Sequence, residues 1–316
     1  MALSTGSLSP LRPLTPLSRR RSLLVYLALA NAGMWLAMSP LLAGGYQRGS
    51  AREGAGPLEQ ACIAAAMFAP ALAAMCAIRY VERGGRLRDA LALRLPRPWW
   101  RALRVCLPAV AVPAGLTGAA LVIAALAGRY PYDGMRVSGL GGWAAGALLN
   151  MLVSVPLFFG EELGWQGYLF PRLLREGGRT GTVRAYLLTG AAFALWHLPT
   201  LLMGGQYPGR PWYVSVPAML LSCTLILPVF TWLRLRSGSV VPAVLGHAFV
   251  SSVSVRMVKE FADPDATLDP LHMGLAGWPG WIAMGAFVAF LALTGRLNPS
   301  SSRYRPAVSP GEAGRA

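Results

Sequence analysis

The chain has 316 residues, of which 54% are hydrophobic and 13% are charged. Soluble globular proteins carry about 25% charged residues, so the composition excludes a soluble protein whose whole surface faces water. The net charge is +16, with 29 Lys and Arg residues against 13 Asp and Glu residues. Such an excess suits a nucleic-acid-binding protein only where the basic residues gather into one patch or motif.

Eight apolar stretches are long enough to be membrane helices, each of which needs about 20 residues. They predict an all-α polytopic membrane protein with one helical domain over residues 22–295, flanked by disordered tails at residues 1–21 and 296–316. The stretches are Ser22–Gly44, Gln60–Ile78, Val105–Gly128, Trp143–Trp165, Ala185–Gly204, Trp212–Leu233, Ser239–Val255 and Gly277–Gly295.

The basic residues sort to one side when the eight stretches alternate across a bilayer from a cytoplasmic N-terminus. This positive-inside pattern predicts that both termini are cytoplasmic, and it argues against nucleic-acid binding because the basic residues are spread along one membrane face. The near-exclusive use of Arg over Lys favours a bacterial plasma membrane. The outer loops hold only Arg48, Arg52, Arg129, Arg136, Arg210, Arg256 and Lys259 among the basic residues.

Two adjacent carboxylates interrupt the fourth apolar stretch. Glu161 and Glu162 lie there, whereas every other acidic residue falls in a predicted loop or tail. His197 lies in the fifth stretch and His247 in the seventh, while His272 is expected to be a solvated loop residue. Because an ionisable group at mid-membrane costs on the order of 2.5–3.5 kcal/mol, the four buried residues are predicted to form a functional site.

Depth and helical phase group these residues further. Glu161, His197 and His247 lie 11, 13 and 11 residues along the chain from the nearest cytoplasmic arginine, which is roughly 16–20 Å at 1.5 Å per residue. Gly160, Gly164 and Gly167 are expected to admit a neighbouring helix, and Pro199 to kink the fifth stretch. The i,i+4 pairs expected to share a helix face are Glu161 with Trp165, Glu162 with Gln166, Phe193 with His197, and His247 with Ser251.

Three motifs in this order resemble those of the CPBP family, which comprises type II CAAX prenyl endopeptidases and bacteriocin-processing or self-immunity proteins. The resemblance covers roughly residues 145–255. The family usually has Arg where this chain has Gln166, and Asn where it has Ser251. The motifs are Glu161-Glu162-x-x-x-Gln166, Phe193-x-x-x-His197 and His247-x-x-x-Ser251.

The resemblance implies an intramembrane endopeptidase that hydrolyses a peptide bond with an activated water. Glu161 would be the general base and His197 its partner, while His247 and Ser251 would stabilise the oxyanion. Glu162 is expected to be protonated or balanced in charge by a histidine, and Gln166 and Phe193 to support the site. This mechanism needs no cofactor, but a Zn²⁺ site formed by Glu162, His197 and His247 is left open.

The expected partners are the lipid bilayer and a membrane-embedded or membrane-proximal peptide or protein substrate, with no nucleic acid. Two other functions stay open on the residues alone. A proton-coupled carrier also uses buried Glu and His, although it predicts symmetry between two halves of the chain. A non-catalytic immunity or scaffold protein of the same family is favoured by Gln166 and Ser251. The buried groups could also be structural, with the histidines bonding between helices and the glutamates in interfacial water.

Overall fold

The computed structural model describes residues 15–51, 53–83, 86–133, 140–174 and 178–298. Within these ranges the chain is helical, and its one extended feature is an isolated antiparallel bridge between Tyr132 and Ala262. The predicted all-α polytopic membrane fold is confirmed. Residues 1–14 and 299–316 of the predicted tails lie outside the described residues, and the first helix begins at Pro16.

The helices follow the apolar stretches, and three of them run into π-helical turns. The π-helical turns are Ala77–Glu82 after α2, Leu163–Leu169 after α5 and Phe249–Ser254 after α10. The α-helices of the described residues are α1 (Pro16–Ala43), α2 (Pro57–Cys76), α3 (Leu87–Ala90), α4 (Trp99–Leu126), α5 (Leu140–Glu162), α6 (Phe170–Leu173), α7 (Gly178–Trp196), α8 (Leu198–Leu202), α9 (Trp212–Ser237), α10 (Val241–Ala248), α11 (Val255–Glu260) and α12 (Trp278–Leu293).

Six helical segments of the described chain are long and apolar enough to cross a membrane. The fifth predicted stretch falls on α7 and α8, and the eighth falls on α12, a shorter apolar helix, so the number of eight spans stays a prediction. The seventh stretch is longer than predicted because the helix continues through α11 to Glu260. The six segments are Leu17–Ala43, Pro57–Glu82, Trp99–Leu126, Gly141–Leu173, Trp212–Ser237 and Val241–Glu260.

Glycines bring α2 against α5, as the sequence predicted. A Cβ atom added to Gly160 would lie 2.4 Å from the carbonyl oxygen of Met67, and one added to Gly164 would lie 2.4 Å from Cβ of Pro70. Neither position has space for a larger residue, because the neighbouring atoms belong to backbone or to a rigid ring. The close approach fixes the end of α5, which carries Glu161 and Glu162.

The connections between helices meet at two opposite ends of the bundle. At one end, which we call the loop end (residues 44–51, 53–56, 127–133, 203–211 and 261–277), the amide of Arg48 donates to the carbonyl of Met203 at 2.9 Å. At the other, which we call the basic end (residues 79–83, 86–104, 172–174, 178–184, 234–240 and 294–298), the amide of Val240 donates to the carbonyl of Ala92 at 2.9 Å. Both ends are therefore cross-linked by hydrogen bonds between loops that are distant in sequence.

Candidate active site

A cavity of about 360 Å³ runs from the interior of the helical bundle to the loop end. Its inner wall includes Phe193, His197, His247 and Ser251. Four of the residues singled out by the sequence therefore border one space, although they come from α7, the α7–α8 junction, α10 and the π-helical turn that follows α10. Neither Glu161 nor its neighbour is among the described residues that line it.

His197 lies at a break between two helices. α7 ends at Trp196 and α8 begins at Leu198, with Pro199 in its first turn, which confirms the predicted kink near this histidine. Nδ1 of His197 lies 2.8 Å from the carbonyl oxygen of Phe193. Because a carbonyl only accepts, Nδ1 carries the proton. In the neutral ring, Nε2 is then an unprotonated acceptor on the cavity wall.

His247 is paired with a buried carboxylate. Its Nδ1 donates to Oε1 of Glu162 at 2.8 Å, and both side chains are at least 90% buried. The sequence predicted that Glu162 would depend on a histidine for charge balance, and His247 is placed to supply it. The pair joins α5 to α10, while the imidazole also borders the cavity.

Aromatic rings enclose His247 on three sides. The ring of Phe230 stacks on the imidazole with centroids 5.0 Å apart, and those of Phe158 and Phe193 lie at 4.6 and 5.6 Å. Phe193 also contacts His197 at 4.9 Å, so this predicted supporting residue lies between both histidines. The enclosure excludes water from the Glu162–His247 pair and strengthens its electrostatic attraction.

Glu161 is 4% exposed. Its Oε2 atom is buried and has no hydrogen-bond partner among the described residues, and the same holds for Oε2 of Glu162. A buried carboxylate oxygen without a donor is costly, and a catalytic role is one explanation for such a cost in a native structure. The described residues place no hydrogen bond between Glu161 and His197.

The α-helical winding assumed for the pair Glu162 and Gln166 does not continue beyond Glu162. Residues Leu163–Leu169 form a π-helical turn. Gln166 is directed to α9, where its Oε1 accepts a hydrogen bond from the hydroxyl of Thr231 at 3.1 Å. Gln166 is thus fully buried but makes no hydrogen bond to Glu162 in the described chain.

A second π-helical turn carries Ser251. Two neighbouring serines anchor this turn: Ser252 is hydrogen-bonded to Ser154 at 2.8 Å, and Ser254 accepts from Thr117 at 2.7 Å. Ser251 itself is exposed and lines the cavity. Its hydroxyl is therefore accessible to a ligand on the same wall as the two histidines.

A Zn²⁺ site formed by Glu162, His197 and His247 stays a prediction. Nδ1 of His247 is hydrogen-bonded to Glu162 and Nδ1 of His197 to a backbone carbonyl, so Nε2 is the ring nitrogen that each histidine can offer to a ligand. In the described part of the chain, no group of three or more His, Cys, Asp or Glu side chains is arranged to hold a metal ion.

Sequence reasoning missed a third buried carboxylate near the site. Glu82 was assigned to a cytoplasmic loop, but it ends the π-helical turn after α2 and forms a bidentate ion pair with Arg172, with N–O distances of 2.6 and 2.7 Å. Tyr168 donates to Glu82 at 3.0 Å, its ring lies under the guanidinium, and Ser22 hydrogen-bonds to both Glu82 and Tyr168. No sequence signal pointed to this pair, because Glu82 and Arg172 are 90 residues apart in the chain.

Polar pairs at the loop end surround the mouth of the cavity. The hydroxyl of Tyr46 donates to Glu59 at 2.7 Å, and this hydrogen bond raises the pKa of Tyr46 to about 12. Burial disfavours ionisation of Asp269, but hydrogen bonds from Arg210 and His272 outweigh it and hold the pKa of that carboxyl below its usual value. His272, predicted to be solvated, is thus bonded to Asp269 at 2.6 Å.

Residues 141–253 match the model of a protein family described as type II CAAX prenyl endopeptidase, Rce1-like. This region of the chain is Rce1-like. The resemblance to CPBP proteases predicted from the three motifs is therefore confirmed, over nearly the bounds predicted. The Rce1-like region includes every predicted site residue from Glu161 to Ser251.

A curated relative supports the same assignment. The chain is 30% identical over 95 residues to CAAX prenyl protease 2 of Methanococcus maripaludis. The aligned residues make up 29% of this chain and 34% of the relative, so the chain spans about a third of the length of the curated relative that it matches. The Rce1-like region, together with the apolar helices, supports an intramembrane-protease-like function for an integral membrane protein.

Proposed function

We propose that the chain is an intramembrane endopeptidase that hydrolyses a peptide bond in a membrane-associated peptide or protein. The observation that carries the proposal is the shared cavity wall formed by His197, His247 and Ser251, with the Glu162–His247 pair directly behind it. The Rce1-like region supports the reaction class.

In the proposed reaction, Glu161 and His197 activate a water molecule. Glu161 has an unpartnered carboxylate oxygen in a dry setting, which suits a general base that removes a proton. His197 presents its unprotonated Nε2 to the cavity and orients the water. The resulting hydroxide attacks the scissile carbonyl carbon, and the proton held by Glu161 is passed to the leaving amine.

His247 and Ser251 stabilise the oxyanion in this proposal. Because Glu162 accepts from Nδ1 of His247, it compensates the charge of a doubly protonated ring, whose Nε2–H then donates to the oxyanion. Ser251 adds a second donor from its hydroxyl. Donors fixed in a water-poor site stabilise developing charge by several kcal/mol, about 10²–10³-fold in rate for each donor.

The test compares wild type with Glu161→Ala and His197→Ala in proteoliposomes. The probes are quenched-fluorescence peptides with transmembrane or membrane-proximal sequences, and they include one prenylated CAAX peptide because the relative is named a CAAX prenyl protease. We expect cleavage by wild type to fall at least about 10²-fold in both variants. Glu260→Ala and His272→Ala serve as matched controls outside the cavity wall and keep wild-type rates.

Equal cleavage by wild type and by both variants would overturn the proposed roles. Proton-driven uptake by wild type without cleavage of any probe would instead favour the carrier. Absence of both activities, with the protein folded, would favour a non-catalytic immunity or scaffold protein.

We propose further that hydrolysis is metal-independent, since no three His, Cys, Asp or Glu side chains of the described residues are gathered in a geometry that would hold a metal ion. A purified sample treated with a strong chelator and passed over a desalting column is expected to keep its activity. Elemental analysis of that sample is expected to find less than one transition metal ion for every ten chains. Loss of activity on chelation, restored by Zn²⁺, would contradict this.

A further inference from the structure

The cavity belongs to the loop end of the bundle. Besides its inner wall, it is lined by Tyr46 and Arg48 from the α1–α2 connection, by Glu59 from the first turn of α2, and by Gln206 and Pro270 from two other loops of that end. Among the described residues, none that lines the cavity comes from residues 79–104, 172–184 or 234–240 of the basic end. The site residues are therefore reached from one end of the bundle.

Hydrogen bonds across the loop end establish that these connections form one face. Arg48 donates from its side chain to the carbonyl of Gly205 at 3.0 Å, and the hydroxyl of Tyr130 donates to the carbonyl of Val258 at 2.9 Å. Arg210 is paired with Asp269. The loops that follow α1, α4, α8 and α11 thus lie together on the side where the cavity opens.

Charge distinguishes this face from the opposite one. The predicted outer loops hold only seven of the 29 Lys and Arg residues of the chain, and the other 22 lie in the predicted cytoplasmic segments. The excess of Lys and Arg therefore lies on the side of the basic end. The predicted outer loops also hold seven acidic residues, which are Glu53, Glu59, Asp133, Glu260, Asp263, Asp265 and Asp269.

We infer that the cavity opens on the side of the membrane opposite the cytoplasm and admits its substrate from there. An excess of Lys and Arg marks the cytoplasmic ends of membrane helices, and that excess is at the end away from the cavity mouth. The inference rests on the proposed function, because the chain has a substrate only if it is the proposed peptidase. It deepens that function by naming the substrate class: a membrane-proximal segment of an exported peptide or protein, rather than a cytoplasmic C-terminal tail.

The lining chemistry defines the segment further. Apolar side chains such as Met38, Ile63 and Met219 cover most of the wall. The Lys, Arg and Glu side chains that line it are Arg48, Glu59 and Lys259, from the α1–α2 connection, the first turn of α2 and α11. A volume of about 360 Å³ is at the lower limit of small-molecule pockets. It suits a short apolar stretch of peptide, with the charged residues of the substrate left outside.

Thiol labelling tests the inference without relying on activity. In a full-length chain with Cys62, Cys76, Cys106 and Cys223 replaced by Ser, a single cysteine is introduced as Ser50→Cys at the exposed loop end. The matched control at the basic end is Leu95→Cys, which alters no charge and is 38% exposed. Spheroplasts of the expressing bacterium are treated with a membrane-impermeant maleimide before and after lysis.

We expect the cysteine from Ser50→Cys to be labelled in intact spheroplasts, and the one from Leu95→Cys only after lysis. A third variant, Ser251→Cys, reports the cavity itself and is expected to react from outside with a small charged thiosulfonate. The reverse pattern for the loop variants, or reaction of Ser251→Cys only after lysis, would overturn the inference. Either result leaves the peptidase test standing, because that test measures cleavage by purified protein in proteoliposomes and uses no labelling of either face.

Discussion

His197 illustrates how a single side chain can be oriented by the backbone of its own helix. Its Nδ1 donates to the carbonyl four residues earlier, and the helix break at this residue leaves the ring on the cavity wall. His247 is instead oriented by a side chain, Glu162, from another helix. Both rings thus carry a proton on Nδ1, and the proposed roles in water activation and oxyanion stabilisation differ at Nε2, which is unprotonated in His197 and protonated in His247.

Glu162→Gln separates the charge of this carboxylate from its hydrogen bond. The amide oxygen can still accept from Nδ1 of His247, but the compensating charge is lost. We expect the hydrolysis rate to fall about 10²-fold or more, while thermal unfolding of the purified protein shifts little. The measurement is the rate with the best probe peptide beside a melting curve, and wild-type activity in this variant would remove Glu162 from the mechanism.

Gly160→Ala tests the close approach of α2 to α5. The added Cβ would lie 2.4 Å from the carbonyl oxygen of Met67, so the helices must separate, at a cost of about 1–3 kcal/mol. Gly146→Ala is the control in the same helix, since a Cβ there meets nothing within 4 Å. We expect a lower unfolding temperature for Gly160→Ala alone, and equal melting of both variants would contradict the packing argument.

At the scale of single residues, the sequence was most informative where an ionisable side chain lies within an apolar stretch. Glu161, Glu162, His197 and His247 stand out because ionisable groups are rare in apolar stretches. Glu82 did not stand out, because it lies at the end of such a stretch, where a charge is expected to meet water. Its burial depends on Arg172 folding back onto it, which no local pattern encodes.

At the scale of secondary structure, two π-helical turns position residues of the candidate site. One follows Glu162 and turns Gln166 toward Thr231, and the other carries Ser251 while its neighbours Ser252 and Ser254 are anchored to α5 and α4. Single π-helical turns inside α-helices are frequently found at functional sites. Sequence periodicity did not reveal them, because the expected pairs assumed 3.6 residues per turn throughout.

The Glu82–Arg172 pair joins the π-helical turn after α2 to the helix that follows the Glu-Glu motif. Removal of one partner leaves an uncompensated buried charge, which costs about 3–5 kcal/mol. We therefore expect Arg172→Ala to lower the unfolding temperature strongly and to reduce activity through misplacement of α5.

The matched control is Arg94→Ala, which breaks the exposed pair with Asp89, where the arginine side chain is 58% exposed. Exposed pairs contribute about 0–1 kcal/mol, so this variant should melt close to wild type. If Arg172→Ala and Arg94→Ala melt alike, the buried pair does not stabilise the bundle.

Over the whole molecule, the two ends of the bundle differ in charge and in the hydrogen bonds that join their loops. The order of the apolar stretches was enough to predict an all-α membrane fold, because hydrophobic length decides which segments can enter a bilayer. It could not predict the cavity, whose walls come from helices far apart in the sequence. The sequence predicted a kink at Pro199, but it did not predict that the fifth apolar stretch would divide into two helices, α7 and α8.

Acidification is expected to loosen the loop end through Asp269. Its pKa is lowered in the folded protein, so its contribution to stability is present above its ordinary value of 3.8 and is lost as the pH falls below that value. Asp269→Asn should therefore lower the unfolding temperature at pH 7, by at most about 2–4 °C, and have a smaller effect near pH 3. Melting curves at both pH values check this beside Asp265→Asn, an exposed control; equal shifts at both pH values would contradict it.

The π-helical turn after Glu162 also makes this part of the chain intolerant of changes in length. Inserting one further residue between Leu163 and Leu169 in α-helical winding would rotate the two flanking segments by about 100° relative to each other. Glu162 could then keep His247, or Arg172 could keep Glu82, but not both. Insertions and deletions in natural variants of this chain are therefore expected to occur in the loops and not within residues 161–172. The number of residues in this segment fixes the distance and the rotation between the cavity wall and the basic end.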